Sequence, residues 1–297
     1  MTTTCLGWPG ILRLGLVQTA LGAIIVLTNS TLNRVMVVEL ALPAALPGLL
    51  IAVHHAVQML RPRLGHGTDR SGRATPWIVG GMAVLALGGF LAALATAWMA
   101  HSVAGGIVLG VAAFVLIGLG AGAAGTALLV LLAKRVAPAR RAAAASIVWM
   151  MMILGFAVTA TLAGRLLDPF SGARLVAVSG TVSLAACVLT LFAMWGVEGQ
   201  GGTGAAPRAG GEVRFQDALA QVWAEPRARR FTLFVLISML AYSMQDLILE
   251  PFAGLVFAFT PGQSTGLSGV QHGGVLAGMV LAALAGSLGA GRAVGSL

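Results

Sequence analysis

Charge is scarce in this sequence. Only 9% of its 297 residues are Asp, Glu, Lys or Arg, against about 25% in a soluble domain. So few charges cannot cover the surface of a soluble protein of this size. An ordinary cytosolic enzyme and a disordered chain are therefore excluded. Cysteine is scarce as well. Cys5 and Cys187 are the only two and show no CxxC spacing, which excludes a disulfide framework and a zinc site; no metal site is expected. Acidic residues number 9 against 18 basic ones, a formal net charge of +9. The basic excess sits at the ends of apolar runs, so it marks topology and not a nucleic-acid-binding face. Apolar side chains are what is plentiful: 58% of residues, with a mean hydropathy of +0.94. The composition predicts an all-α polytopic membrane protein. The N-terminus, MTTTCLGWPGILRLG, lacks a charged region ahead of an apolar run with a small-residue cleavage site. The first apolar segment is therefore expected to be retained.

A bilayer core of roughly 30 Å needs about 20 apolar residues per helix. Eight segments meet that length: 12–33, 42–60, 76–98, 103–133, 143–164, 174–196, 231–249 and 267–290. Arg61, Arg63, Arg70 and Arg73 follow the second, and Lys134, Arg135, Arg140 and Arg141 follow the fourth. Arg208, Arg214, Arg227, Arg229 and Arg230 follow the sixth, while Arg34, Arg165 and Arg174 alone fall on the other side. The bias predicts that both termini are cytoplasmic. The chain divides into a six-helix bundle at 1–196, a cytoplasmic linker at 197–230 and two helices of a second bundle at 231–297. The linker opens Gly-rich. Phe215, Leu219, Val222 and Trp223 then share one helical face, which predicts an amphipathic helix on the membrane surface.

Between the second and third segments lies Gly65-His-Gly-Thr-Asp69-Arg70-Ser-Gly72-Arg73. It fits G-x-x-x-D-R-x-G-R, the signature loop of the major facilitator superfamily, with an expected gating role. Its glycines permit tight turns, and its arginines anchor at the anionic leaflet. A second cluster gathers polar residues at the end of the first segment, Asn33, Arg34 and Glu39, and in the seventh, Gln245, Asp246 and Glu250. Ionisable groups at membrane depth face an interior or a cavity. Asp246 is expected to have a buried partner, with Arg34 the candidate by charge. His54, His55 and His272 lie within apolar segments. Gly118-Leu-Gly120-Ala-Gly122-Ala-Ala-Gly125 contains GxGxxG. No strand precedes it, so it reads as helix packing and not as a dinucleotide site. Met150, Met151 and Met152 beside Trp149 read as packing surface. No GxSxG, HExxH or phosphate-binding loop appears, and the expectation is a protein that is not an enzyme.

LNRVMVVEL at 32–40, QDLILEPFAGLVF at 245–257 and VHHAVQMLRPRLGHGTDRSG at 53–72 together resemble one family over essentially the whole chain. This is the PucC/LhaA group, the bacteriochlorophyll delivery family within the major facilitator superfamily. The resemblance implies a membrane assembly factor for light-harvesting complexes in the bacterial inner (intracytoplasmic) membrane, and makes His54, His55 and His272 candidate pigment ligands, because imidazole can hold the magnesium of a chlorin. Such a protein binds or delivers bacteriochlorophyll, nascent antenna subunits or both, with the antenna or reaction-centre–antenna complex and the lipid bilayer as partners and no nucleic acid. Two alternatives are a small-molecule secondary transporter or its truncated remnant, and a permanent structural subunit of a photosynthetic complex. Members of the family resemble twelve-helix proteins, whereas this sequence stops after the eighth segment. That puts alternating-access transport in doubt.

Overall fold

The computed structural model describes residues 5–198, 220 and 223–294, with the backbone alone at 69, 70 and 283–294. Among the described residues all regular structure is helical. The helices are α1 (Trp8–Glu39), α2 (Ala45–Gln58), α3 (Arg61–Ser71), α4 (Thr75–Met99), α5 (Val103–Arg135), α6 (Arg141–Leu167), α7 (Gly172–Met194), α8 (Pro226–Phe257) and α9 (Pro261–Val294). Six of them, α1 and α4 to α8, are long and apolar enough to cross a membrane. The eight expected segments map onto α1, α2 and α4 to α9. At 14 residues, α2 rises about 21 Å, less than the roughly 30 Å of a bilayer core. The predicted amphipathic helix falls mostly outside the described residues.

The apolar sequence folds into a close bundle because small residues let backbones meet. Lipid tails are as apolar as leucine, so association depends on fit. A Cβ on Gly120 of α5 would sit 2.6 Å from Gly81 O of α4, and closer still to Leu85 N. On the opposite flank of α5, a Cβ on Gly118 would lie 2.7 Å from His54 O of α2. The GxGxxG glycines thus hold two neighbours against one helix. α6 carries α1 on one side and α9 on another. Gly155 meets Thr19 O, and Gly164 meets Gly262 O and Gly266 N. Met152 is buried on α1, where Gln18 Nε2 donates to its Sδ at 3.2 Å, while Trp149 is exposed.

The segment expected as a loop at 61–73 is helical over Arg61–Ser71. Pro62, in its first turn, has the fixed φ that suits a helix start. Thr68 donates back to Leu64 O at 2.9 Å. Gly72 then turns at φ +66°, the left-handed conformation that ends helices. Past it, Glu198 binds the start of α4: Ala74 N–H and Thr75 N–H donate to its two carboxylate oxygens at 2.6 and 2.9 Å. Arg135 holds the Glu198 carbonyl at 3.1 Å, and Arg13 donates to the Phe192, Ala193 and Trp195 carbonyls at the C-terminal end of α7. The arginine-rich end of the bundle is therefore laced by helix-terminus contacts.

Burial opposes the Glu198 charge, but the Ala74 and Thr75 amides and the Arg73 charge outweigh it. The carboxyl is held below its ordinary value of 4.5. A depressed carboxylate stabilises the fold above its unfolded value, and that contribution fades as pH falls through the folded value. Melting of detergent-solubilised protein should thus fall more steeply below about pH 4.5 than melting of Glu198→Gln. Parallel pH curves would contradict the capping role.

Candidate functional site

At the end opposite the arginine-rich turns, α1 departs from regular α geometry. Thr28 Oγ1 donates to Ile24 O and Ile25 O at 3.1 and 3.0 Å, a local bond that competes with the helical ladder. π-turns follow at Leu27–Thr31 and Val35–Glu39, flanking Leu32–Arg34. Each π-turn shifts the register of the side chains after it. Thr28, Ser30, Thr31, Asn33 and Arg34 are all buried as a result. Arg34 is the largest fully buried side chain among the described residues. Its Nη1 donates to Glu39 Oε1 at 2.6 Å in a salt bridge, and its Nη2 to Phe259 O at 2.5 Å. The second π-turn makes the pair, because i and i+5 are the positions such a turn stacks.

Helix α8 supplies the other side. Pro251 lies inside it and has no N–H for the carbonyl four residues back. That carbonyl, Leu247 O, accepts from Asn33 Nδ2 at 2.7 Å. Glu250, beside the proline, is 0% exposed. Ser268 Oγ donates to its Oε1 at 2.6 Å and Thr265 Oγ1 to its Oε2 at 3.2 Å. Thr265 also meets Thr31 Oγ1 at 3.1 Å. Gly254, one turn on, admits the Arg34 guanidinium: a Cβ there would lie 3.2 Å from Nη2. Asn33, Arg34, Glu39 and Glu250 thus form one clasp joining α1, α8 and α9. A crevice of about 820 Å³ opens beside it, lined by residues that include Arg34, Val38, Glu39, Asp168, Phe170 and Phe259.

The other sequence candidates lie apart from this clasp. Asp246 accepts from Gln271 Nε2 at 3.2 Å and not from Arg34. Gln245 is exposed. His54 is buried against α5, and Gln58 Nε2 donates to its Nε2 at 2.6 Å. His272 is buried, donates from Nδ1 to Ser268 O at 2.7 Å, and stands edge-on to Phe156 at 4.9 Å. His55 is exposed, with its ring 4.7 Å from that of His54. Gly65, Gly72 and Arg73 sit in or after α3, far along the chain from the clasp; the Asp69 and Arg70 side chains lie outside the described residues. Thr31, Thr265, Ser268 and the carbonyls of Leu247 and Phe259 were not foreseen. Pro251, four residues after Leu247, was the one available signal. Among the described residues no cluster of three or more His, Cys, Asp or Glu could hold a metal ion.

Asn33→Leu should lower stability by about 1–2 kcal/mol, the cost of an orphaned buried carbonyl. Pro251→Ala in the same chain should return much of it, since alanine restores the missing N–H. Thermal unfolding in detergent reads both, and a double variant no more stable than Asn33→Leu would contradict the pairing.

The PUCC protein family matches residues 31–295. The chain is 52% identical over 98% of its length to the "Bacteriochlorophyll synthase 44.5 kDa chain" of Rhodobacter capsulatus, of which it covers 67%. It is 30% identical over 92% of its length to "Protein PucC" of Rhodovulum sulfidophilum, covering 63% of that protein. It is likewise 30% identical over 90% of its length to "Protein PucC" of Rhodobacter capsulatus, covering 61%. The chain thus spans about two thirds or less of these relatives' lengths. One expectation is corrected here. A protein that is not an enzyme was expected from missing soluble-enzyme motifs, yet a relative at 52% identity carries an enzyme name. Those motifs describe sites in soluble folds, so their absence said nothing about chemistry inside a membrane bundle.

Proposed function

The chain belongs to the PUCC protein family, and on that premise we propose that it assists the membrane assembly of bacterial light-harvesting complexes. It binds or delivers bacteriochlorophyll, nascent antenna subunits or both. The broader statement, a membrane protein related to photosynthetic pigment, rests on the family match, the apolar helices and the relative's name. The observation that supports the finer one is the surface of α8. Its most apolar stretch has none of its residues buried, and Phe231, Phe234, Ile237, Leu240 and Met244 stand exposed. The clasp holds this helix near Leu247–Phe259 and leaves the remainder free to meet apolar cargo. Antenna helices and chlorins are such cargo, and they move within the plane of the bilayer. Partner choice on such a face depends on shape, because lipid competes equally for apolar contact.

The arginine distribution supports an inner-membrane location with both termini cytoplasmic. The division at 1–196, 197–230 and 231–297 then places the linker on the cytoplasmic side. The Gly65–Arg73 stretch serves as a gating element under α4. A second reading, a secondary transporter, is favoured by one feature: Glu250 is wholly buried and bonded only to hydroxyls. A coupling carboxylate would occupy such a position. The test of the main reading is isolation of the tagged protein from phototrophic membranes in mild detergent. Antenna polypeptides and bacteriochlorophyll should accompany it in stoichiometric yield. Recovery free of both would contradict the proposal, and uptake by proteoliposomes that is lost in Glu250→Gln would favour transport.

A further inference from the structure

We propose that His55 is the axial ligand for a magnesium chlorin docked on the exposed face of α2. This deepens the pigment-handling reading above and rests on it. An axial ligand needs an imidazole nitrogen with a free lone pair and an open approach wide enough for a planar macrocycle. The three candidate histidines differ in both respects. His54 is 2% exposed, and its Nε2 is taken by Gln58. The α2–α5 contact above it is so close that Gly118 has no room for a Cβ. His272 is 2% exposed and walled by Phe156. His55 is exposed, and no hydrogen bond to either of its nitrogens is found among the described residues.

The surroundings of His55 suit a flat ring. α2 faces α5 with Leu50, His54 and Val57, so its opposite side carries Leu49, Ala52, Ala56 and Met59. Leu49 and Met59 are 65% and 83% exposed. They stand ten residues apart, about 15 Å of helix. Ala52 and Ala56 form a shallow floor between these larger side chains, with His55 at its edge. Arg61 follows at the start of α3, but its stem packs toward Gly122 of α5, so His55 alone supplies the polar contact on this face. A neutral imidazole on an apolar face lacks a polar partner, and a metal centre supplies one.

The experiment titrates the full chain in lipid nanodiscs with bacteriochlorophyll and, separately, with its magnesium-free form, read by absorption and induced circular dichroism. Wild type should bind the magnesium pigment saturably and the metal-free form at least tenfold more weakly. His55→Leu should lose that preference, and imidazole added to His55→Gly should restore it. Saturable binding indifferent to both His55 and the metal overturns the ligand assignment while leaving the pigment reading intact. No saturable binding by wild type overturns both. A His55→Cys protein whose thiol is protected from labelling in pigment-free membranes would show that a helix covers this face, and would also overturn the proposal.

Discussion

Arg34→Leu is expected to cause the largest loss of stability of any single substitution in the clasp. The side chain is 1% exposed and makes two strong contacts, to Glu39 and to Phe259 O. Breaking a buried pair from one side costs about 3–5 kcal/mol. Glu39 is a third exposed, so water relieves part of its charge, and the lower end of that range applies. The loss of the Phe259 contact adds an orphaned carbonyl just past the end of α8. The apparent melting temperature in detergent should fall by about 5–10 °C. Arg34→Lys should lie between variant and wild type, because lysine keeps the charge but cannot fork to both acceptors. Glu39→Gln should cost less than Arg34→Leu, since the amide still accepts from the guanidinium. Equal melting of Arg34→Leu and wild type would show that the clasp does not hold these helices together.

Gly120→Val is expected to be the next most damaging change, through backbone and not charge. Even a Cβ here would lie 2.6 Å from Gly81 O and nearer to Leu85 N. Both are backbone atoms, which no rotamer change can move aside. α4 and α5 must separate, and overpacking of this kind costs about 1–3 kcal/mol or more. Because α4 and α5 form the most extensive helix pair, the loss should appear as poor yield and early melting. Gly80→Val, one position from Gly81 but with open space around its Cβ, is the control and should behave as wild type. Similar melting of the two variants would contradict the packing.

These cases show which parts of the structure were legible beforehand. The six helices long enough to cross a membrane followed from apolar runs, and the small-residue contacts on α5 followed from Gly118 and Gly122. Candidates for the clasp stood out because ionisable residues are few in these segments. Their partners were not legible. Helical neighbours are normally three or four apart, so a spacing of five hides the Arg34–Glu39 pair, and charge alone points Arg34 to Asp246. The π-turn at Val35–Glu39 changed that spacing. Glu250 finds its donors on Thr265 and Ser268, hydroxyls too common in apolar helices to single out. α3 read as a loop because Gly65, Gly67 and Pro62 are poor helix residues by propensity, yet Leu64 packs against Gly122 of α5. Nothing in the glycine-rich stretch before α8 announced that Glu198 would bind the N-terminus of α4, a contact between residues 123 and 124 apart in the chain.

If this membrane protein hands cargo on to a growing light-harvesting complex, pulse-labelling of newly made antenna polypeptides in phototrophic cells, followed by capture of this protein at successive times, will catch the transfer. Labelled antenna polypeptides should appear with the protein early and leave it as they enter the mature complex. Labelled antenna that reaches the mature complex without ever passing through the captured fraction would contradict this transfer.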